Sequence, residues 1–162
     1  MPDYITSPMT WDGRTLALLR RFVFGLWVAG LLGTGAELLL LGHTHGAWQL
    51  VPLVLIASGL AAFAVLLTSR NRACLRVFQS TLVLFVASGI IGVLLHLLGK
   101  MEFKREADPS LAGWELFRAA LQGAMPPILA PAAMILFGLL GLACTFRNSS
   151  LIRTTPTSTA IP

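Results

Sequence analysis

Residues 31–52 read LLGTGAELLLLGHTHGAWQLVP: an apolar run stops at Gly42, passes through two histidines and resumes as a second apolar run. Two greasy segments joined by so short a connection predict adjacent, antiparallel helices. The first of them carries a lone acid, Glu37, among Gly, Leu and Ala. A carboxylate in such a setting costs about 2.5–3.5 kcal/mol at the centre of a bilayer, so the reading of this stretch decides both the fold and the first functional question.

Composition names the solvent. Of the 162 residues, 56% are hydrophobic and only 12% charged, with a mean hydropathy of +0.78. Soluble domains carry roughly 25% charged residues, so the chain belongs in a membrane. An apolar helix needs about 20 residues to cross a hydrocarbon core about 30 Å thick. Four windows meet that length, at about residues 22–42, 48–68, 77–98 and 128–146. Glu37 is the one charged residue inside them, and His96 is the one other group that ionises near neutral pH.

These windows predict an all-α integral membrane protein, a four-helix bundle forming one domain over 22–146. A cytoplasmic N-terminal segment, 1–21, precedes it. MPDYITSPMTWDGRTLALLRRF is polar and shows no small-residue cleavage site behind a short apolar core, so no cleaved signal is expected. Residues 147–162 contain NSSLIRTTPTSTAIP, a Ser-, Thr- and Pro-rich stretch expected to be a disordered cytoplasmic tail. The turn SRNRACLR, 69–76, makes the second and third helices antiparallel neighbours.

Basic residues orient the bundle. Arg14, Arg20, Arg21, Arg70, Arg72, Arg76, Arg147 and Arg153 fall on the side of both termini, and eight Arg less Asp3 and Asp12 leave six positive charges there. On the other side Lys100, Lys104, Arg105 and Arg118 are balanced by Glu102, Glu106, Asp108 and Glu115. Both termini are therefore expected in the cytoplasm of an inner membrane. The pI of about 10.3 then reflects topology and anionic headgroups rather than nucleic acid. Cys74 and Cys144 both fall on the reducing side, where disulfides are rare, and no C-x-x-C is present.

In ADPSLAGWELFRAALQGAMPP, 107–127, Asp108 followed by Pro109 reads as an N-cap with proline at the first helical position. An extracytoplasmic amphipathic helix is expected over about 108–123. Leu111, Trp114, Phe117 and Leu121 would form its apolar face and Glu115, Arg118 and Gln122 the other. Trp114 and Phe117 are its candidates for contact with a partner or with lipid.

Two rows of small residues each end in an ionisable one. On helix 1, Gly25, Ala29 and Gly33 lead at intervals of four to Glu37; on helix 3, Ser88 and Gly92 lead to His96. Such rows pack helices in lipid. GLLGTGAE, 30–37, and GIIGVLLH, 89–96, also share a spacing, which raises a faint internal duplication. Counting about 1.5 Å per residue, Glu37 lies about 24 Å past Arg21 and His96 about 30 Å past Arg76. The two can pair across roughly one helical turn, and are the candidates for binding a proton or ligand. Interfacial hydration of each is the plainer alternative, because both precede a glycine that reads as a helix end.

His43 and His45 are weak metal candidates. Their spacing matches no zinc motif, but with His96 they reach the same side, so a haem b between His96 and a loop histidine stands as the cofactor alternative to none. No nucleophile elbow, phosphate loop or dinucleotide fingerprint occurs. Three functions stay open: a non-enzymatic accessory or scaffold subunit contacting membrane lipids and a membrane-protein partner or second copy, a small proton-linked transporter, and a haem redox protein.

DPSLAGWELFRAALQGAMPPILAPAAMI with LGLACTFR, and LVLFVASGIIGVLLH before them, resemble a group of small bacterial inner-membrane proteins known as hypothetical proteins. The resemblance implies their four-span topology and supplies no activity.

Overall fold

The computed structural model describes residues 9–42, 44, 46–122, 129–146, 151 and 152. Among them every regular element is a helix: α1 Met9–Leu40, α2 Ala47–Ser69, α3 Arg72–Ala107, α4 Gly113–Gln122 and α5 Leu129–Thr145. Three of these, α1 over Gly13–Leu40, α2 and α3, are long and apolar enough to cross a membrane. With 17 residues, α5 is apolar and about 26 Å long.

Large apolar side chains stand exposed on all four apolar helices, among them Phe22, Leu32, Val54, Val83, Leu94 and Leu136. Water would make that surface prohibitive; lipid makes it the expected one. The hydroxyls of Ser58, Thr68 and Thr81 donate to carbonyls one turn back on their own helices, which satisfies them without solvent.

Tight turns set the order. Arg70 adopts a left-handed conformation (φ 46°) and its N–H closes on the Leu66 carbonyl, while the Asn71 side chain accepts from the Cys74 N–H and caps α3. The expected eight-residue turn thus shrinks to Arg70 and Asn71, and α3 starts at Arg72 rather than 77. Likewise α1 starts at Met9, so much of the expected polar leader is helical.

Four antiparallel seams follow. Gly35 meets Ile56 and Gly59 meets Phe85, which fixes α2 against α1 and α3. Along α3 and α5 the backbones nearly touch: a methyl built on Gly89 would stand 2.7 Å from the Pro131 carbonyl oxygen, and one on Gly138 2.7 Å from that of Leu82. Glycine is required at such a crossing. Gly30 makes room for the Phe137 ring, seating α5 on α1. Arg20 donates to the Phe146 carbonyl at 3.0 Å and Gln79 to Thr145, so the start of α1, the Arg70 turn and the end of α5 share one end of the molecule.

The core lies in that half. Trp27, 1% exposed, touches Phe63, Phe78 and Phe85 at centroid distances of 5.5, 5.4 and 6.5 Å, and its indole N–H donates to the Phe137 carbonyl at 2.9 Å. Leu31, Leu66 and Leu82 complete it, all fully buried. Leu151, placed by its sequence in a disordered tail, is also buried in this cluster; residues 147–150 and 153–162 of that tail lie outside the described residues.

The stretch after His96 differs most from expectation. Helix α3 runs through Gly99 to Ala107, because Leu, Lys, Met, Glu and Arg are all good helix formers and a single glycine costs only about 1 kcal/mol. Asp108 ends that helix instead of starting the next. Its N–H donates to the Lys104 carbonyl, and its carboxylate accepts the Ser110 N–H at 3.0 Å and hydroxyl at 2.6 Å, contacts that hold its pKa below the usual carboxylate range. Gly113, at φ +53°, then opens α4. The ten-residue α4 packs on α3 through Leu116 and Ala120, not through the face containing Leu111, Trp114 and Leu121. Trp114, stacked on Phe117 at 5.3 Å, is 72% exposed.

A candidate binding cavity between the helices

At the end opposite Arg70 the helices separate. There the closely packed half gives way to a cavity of about 630 Å³ walled by α1, α2, α3 and α5. Its size lies inside the range of about 300–1,000 Å³ usual for small-molecule sites.

The wall is apolar and the polar groups sit together. Leu55, Leu84, Ala87 and Met134 line the part nearest the core. At the far part stand Trp48, Gln49 and His96. Antiparallel register explains the meeting: with Gly59 against Phe85, ten residues back along α2 and ten forward along α3 bring Gln49 level with Leu95. Leu84 and His96 are twelve residues apart on one helix, about 18 Å. Ser88 lies between.

Two prolines shape the walls. Pro131 is in the first turn of α5, where a missing N–H is harmless, and Gly92, having no Cβ, lets its ring come close to α3. Pro52 is inside α2. Having no N–H, it cannot return a hydrogen bond to the carbonyl of Trp48 four residues earlier, and both residues line the cavity.

The structure brings some of the sequence's candidates together and separates others. Ser88, Gly92 and His96 all line the cavity, His96 half-buried in mid-helix. Glu37 is exposed and turned away, although its neighbour Leu38 lines the same cavity. The pairing of Glu37 with His96 is therefore not formed. The Gly25, Ala29, Gly33 row lies on the exposed face with Glu37, and nothing stands within 4 Å of a methyl on Gly25 or Gly33; the glycines of α1 that meet other helices are Gly30 and Gly35.

His43 and His45 lie outside the described residues. Among the described residues no three His, Cys, Asp or Glu side chains gather as a metal site. Neither Cys74 nor Cys144 is in a disulfide.

Sequence reading missed Gln49 and Trp48. The signal was present in AWQLVP, where Gln49 interrupts an apolar helix one turn before a proline. The chain matches no protein-family model, no curated protein and no solved structure.

Proposed function

We propose that the chain is a four-span protein of a bacterial inner membrane that holds a lipid-soluble molecule between its helices, an accessory protein rather than a catalyst. The cavity carries this reading: an apolar volume of about 630 Å³ with a few polar groups gathered at one part is what a greasy ligand with a polar head requires.

Topology supports it. With 17 residues, α5 reaches the lower end of the range of about 17–25 residues for membrane helices. The Arg70 end gathers Arg14, Arg20, Arg21, Arg70, Arg72 and Arg76, whereas basic and acidic residues alternate beyond His96. By the excess of arginine the Arg70 end is cytoplasmic. The cavity then lies toward the outer leaflet, α4 lies at the outer surface, and Trp114 reaches for the interface as tryptophan does. A second reading, a partner helix or second copy packing on α1, draws on the open row Gly25, Ala29 and Gly33. A proton path through both Glu37 and His96 has no comparable support, since only His96 faces the cavity.

The test is extraction. Protein purified in mild detergent, washed and extracted with organic solvent, is expected to release a lipid-soluble molecule at near one per chain by mass spectrometry. The Ala87→Trp variant, which fills the cavity, should release little of it at unchanged helicity. Equal recovery from both would remove the proposal.

A further inference from the structure

At the end of the molecule away from the cavity, we infer that Arg21, Arg70, Arg72 and Arg76 form a binding site for the phosphodiester headgroup of an anionic phospholipid. Such a site needs neither the cavity nor a particular side of the membrane. Three observations lead there.

The first is a common level. Gly35 of α1 meets Ile56 of α2, and fourteen residues back along α1 and fourteen on along α2 stand Arg21 and Arg70. Gly59 of α2 meets Phe85 of α3, and eleven on and eleven back stand Arg70 and Cys74, the latter midway between Arg72 and Arg76. Two separate seams thus set four arginines in one layer, and all four are exposed. Within it the mouth of the α1–α2 seam is marked: Phe24 stacks on Phe63 at 4.9 Å, Arg21 lies about one turn before Phe24, and Arg70 about two turns after Phe63. The Arg70 Nε–H reaches the Leu67 carbonyl at 3.4 Å, which engages one of five guanidinium donors.

The second is the want of counter-charge. No Asp or Glu occurs between Glu37 and Glu102, and none after Glu115. On α1, Asp12 precedes Arg21 by nine residues, about 13 Å, which exceeds the screening length of about 8 Å at physiological salt; Asp3 lies outside the described residues. Four like charges gathered in one layer without an acid attract an anion from outside the chain. At the other end Glu102, Lys104, Arg105 and Glu106 interleave, so the field there is largely cancelled. A headgroup anion supplies at the Arg70 end what the sequence supplies at the opposite one.

The third is the choice and depth of the cation. Every basic residue that the sequence puts on this side is arginine, and both lysines, Lys100 and Lys104, stand at the other end. Lysine serves orientation in a membrane as well as arginine does. The planar guanidinium fork, unlike an ammonium, matches phosphate oxygens two at a time. Depth selects a lipid over a dissolved phosphate. Phe22 beside Arg21, Leu67 one turn before Arg70 and Val77 beside Arg76 are all exposed, so surface suited to acyl chains begins where the arginine layer ends. A molecule with phosphate at that level and hydrocarbon beside it meets both surfaces.

Thermal unfolding of the full chain in nonionic detergent reads binding, since a ligand that binds only the folded protein raises Tm with its concentration. The probes are phosphatidylglycerol and phosphatidylcholine with the same acyl chains, and inorganic phosphate. Expected is a saturable rise with phosphatidylglycerol, half complete at about one-tenth of the concentration that phosphatidylcholine requires, and no rise with inorganic phosphate over the same range. The double variant Arg21→Gln, Arg70→Gln should weaken phosphatidylglycerol about tenfold, the equivalent of one charge-assisted hydrogen bond. Arg21→Lys with Arg70→Lys keeps the charge and removes the fork, so it should also weaken binding, and wild-type affinity in it overturns recognition by guanidinium. Arg105→Gln with Arg118→Gln, at the far end, should bind as the wild type does; an equal loss there means that net charge acts and not a site, which overturns the inference. So does an equal response to phosphatidylcholine or to inorganic phosphate. Exposed arginines are replaced at little cost, so each variant should keep the wild-type Tm without lipid. Where one does not, phosphorus per purified chain decides: it should fall in the Arg21, Arg70 glutamine variant and hold in the far-end one, and the reverse overturns the site. None of these residues lines the cavity, so failure here leaves the cavity reading intact.

Discussion

GLLGTGAE of α1 and GIIGVLLH of α3 spell nearly the same pattern, and the structure uses them in opposite ways. In α3 the residues that face neighbours are Phe78, Leu82, Phe85, Gly89, Gly92 and His96, at alternating steps of four and three. His96 is in phase with that face and so enters the cavity. In α1 the inward residues are Phe24, Trp27, Leu31, Gly35 and Leu38, again at threes and fours. Glu37 falls two residues past Gly35, about 200° round the helix, and so points outward. A row of strict fours drifts about 40° per step on a helix of 3.6 residues per turn, whereas alternating threes and fours holds one face. The difference teaches that phase relative to the large apolar residues, and not distance from the second glycine of the segment, decides which ionisable group is inside.

The sharpest way to break this comparison is to remove the residue that fixes the phase of α1. Trp27→Ala deletes an indole at the centre of three aromatic contacts and its hydrogen bond to α5. Truncating a buried Trp costs about 3–5 kcal/mol. The expected result, read by chemical unfolding in detergent, is a loss in that range. A loss below about 1 kcal/mol would mean that this face of α1 is not the packed one, and the contrast with α3 would collapse.

Next in size comes a matched pair of glycines. A methyl on Gly89 meets the Pro131 carbonyl and Ile135 N–H, both backbone atoms that cannot move aside; a methyl on Gly33 meets nothing. Gly89→Ala should therefore destabilise by about 1–3 kcal/mol, as overpacking does. Gly33→Ala should be neutral or gain up to about 1 kcal/mol, because alanine is the better helix former. The same unfolding assay reads both, and equal effects would erase the distinction between the two segments.

Much of the helical architecture was legible in the chain because apolar length is a strong signal. The windows at 48–68 and 77–98 fall inside α2 and α3, and the short HTHGA and SRNRACLR segments mark where the chain turns. Helix ends were less legible. Glycine at 99 reads as a stop, yet KMEFKREA carries the helix on past it, and Asp108-Pro109 reads as a start where the side chain instead ties a turn to Ser110. Half of the site was visible. His96 stood out as an ionisable group in an apolar run, but its company did not, since Gln49 joins it only through the register of α2 on α3, which Gly59 against Phe85 determines. That contact is tertiary, and a pattern within one helix carries no trace of its partner across the seam.

The smallest expected effect bears on the question raised by Glu37. On its outward face, three residues before α1 ends at Leu40, its carboxylate can reach the headgroup layer and water, so removing the charge alters neither packing nor the cavity. Glu37→Gln should change stability by less than about 0.5 kcal/mol, as surface substitutions do, and leave the amount of lipid-soluble molecule released on extraction unchanged. A large effect of Glu37→Gln on that release would require the acid to turn inward past Leu38, and α1 would then have to rotate by about 100°, displacing Trp27 from the aromatic cluster. Measuring Glu37→Gln and Trp27 fluorescence together therefore asks whether α1 holds one phase: an unaltered indole environment with unaltered binding fixes Glu37 outside, and a coupled change in both places it inside.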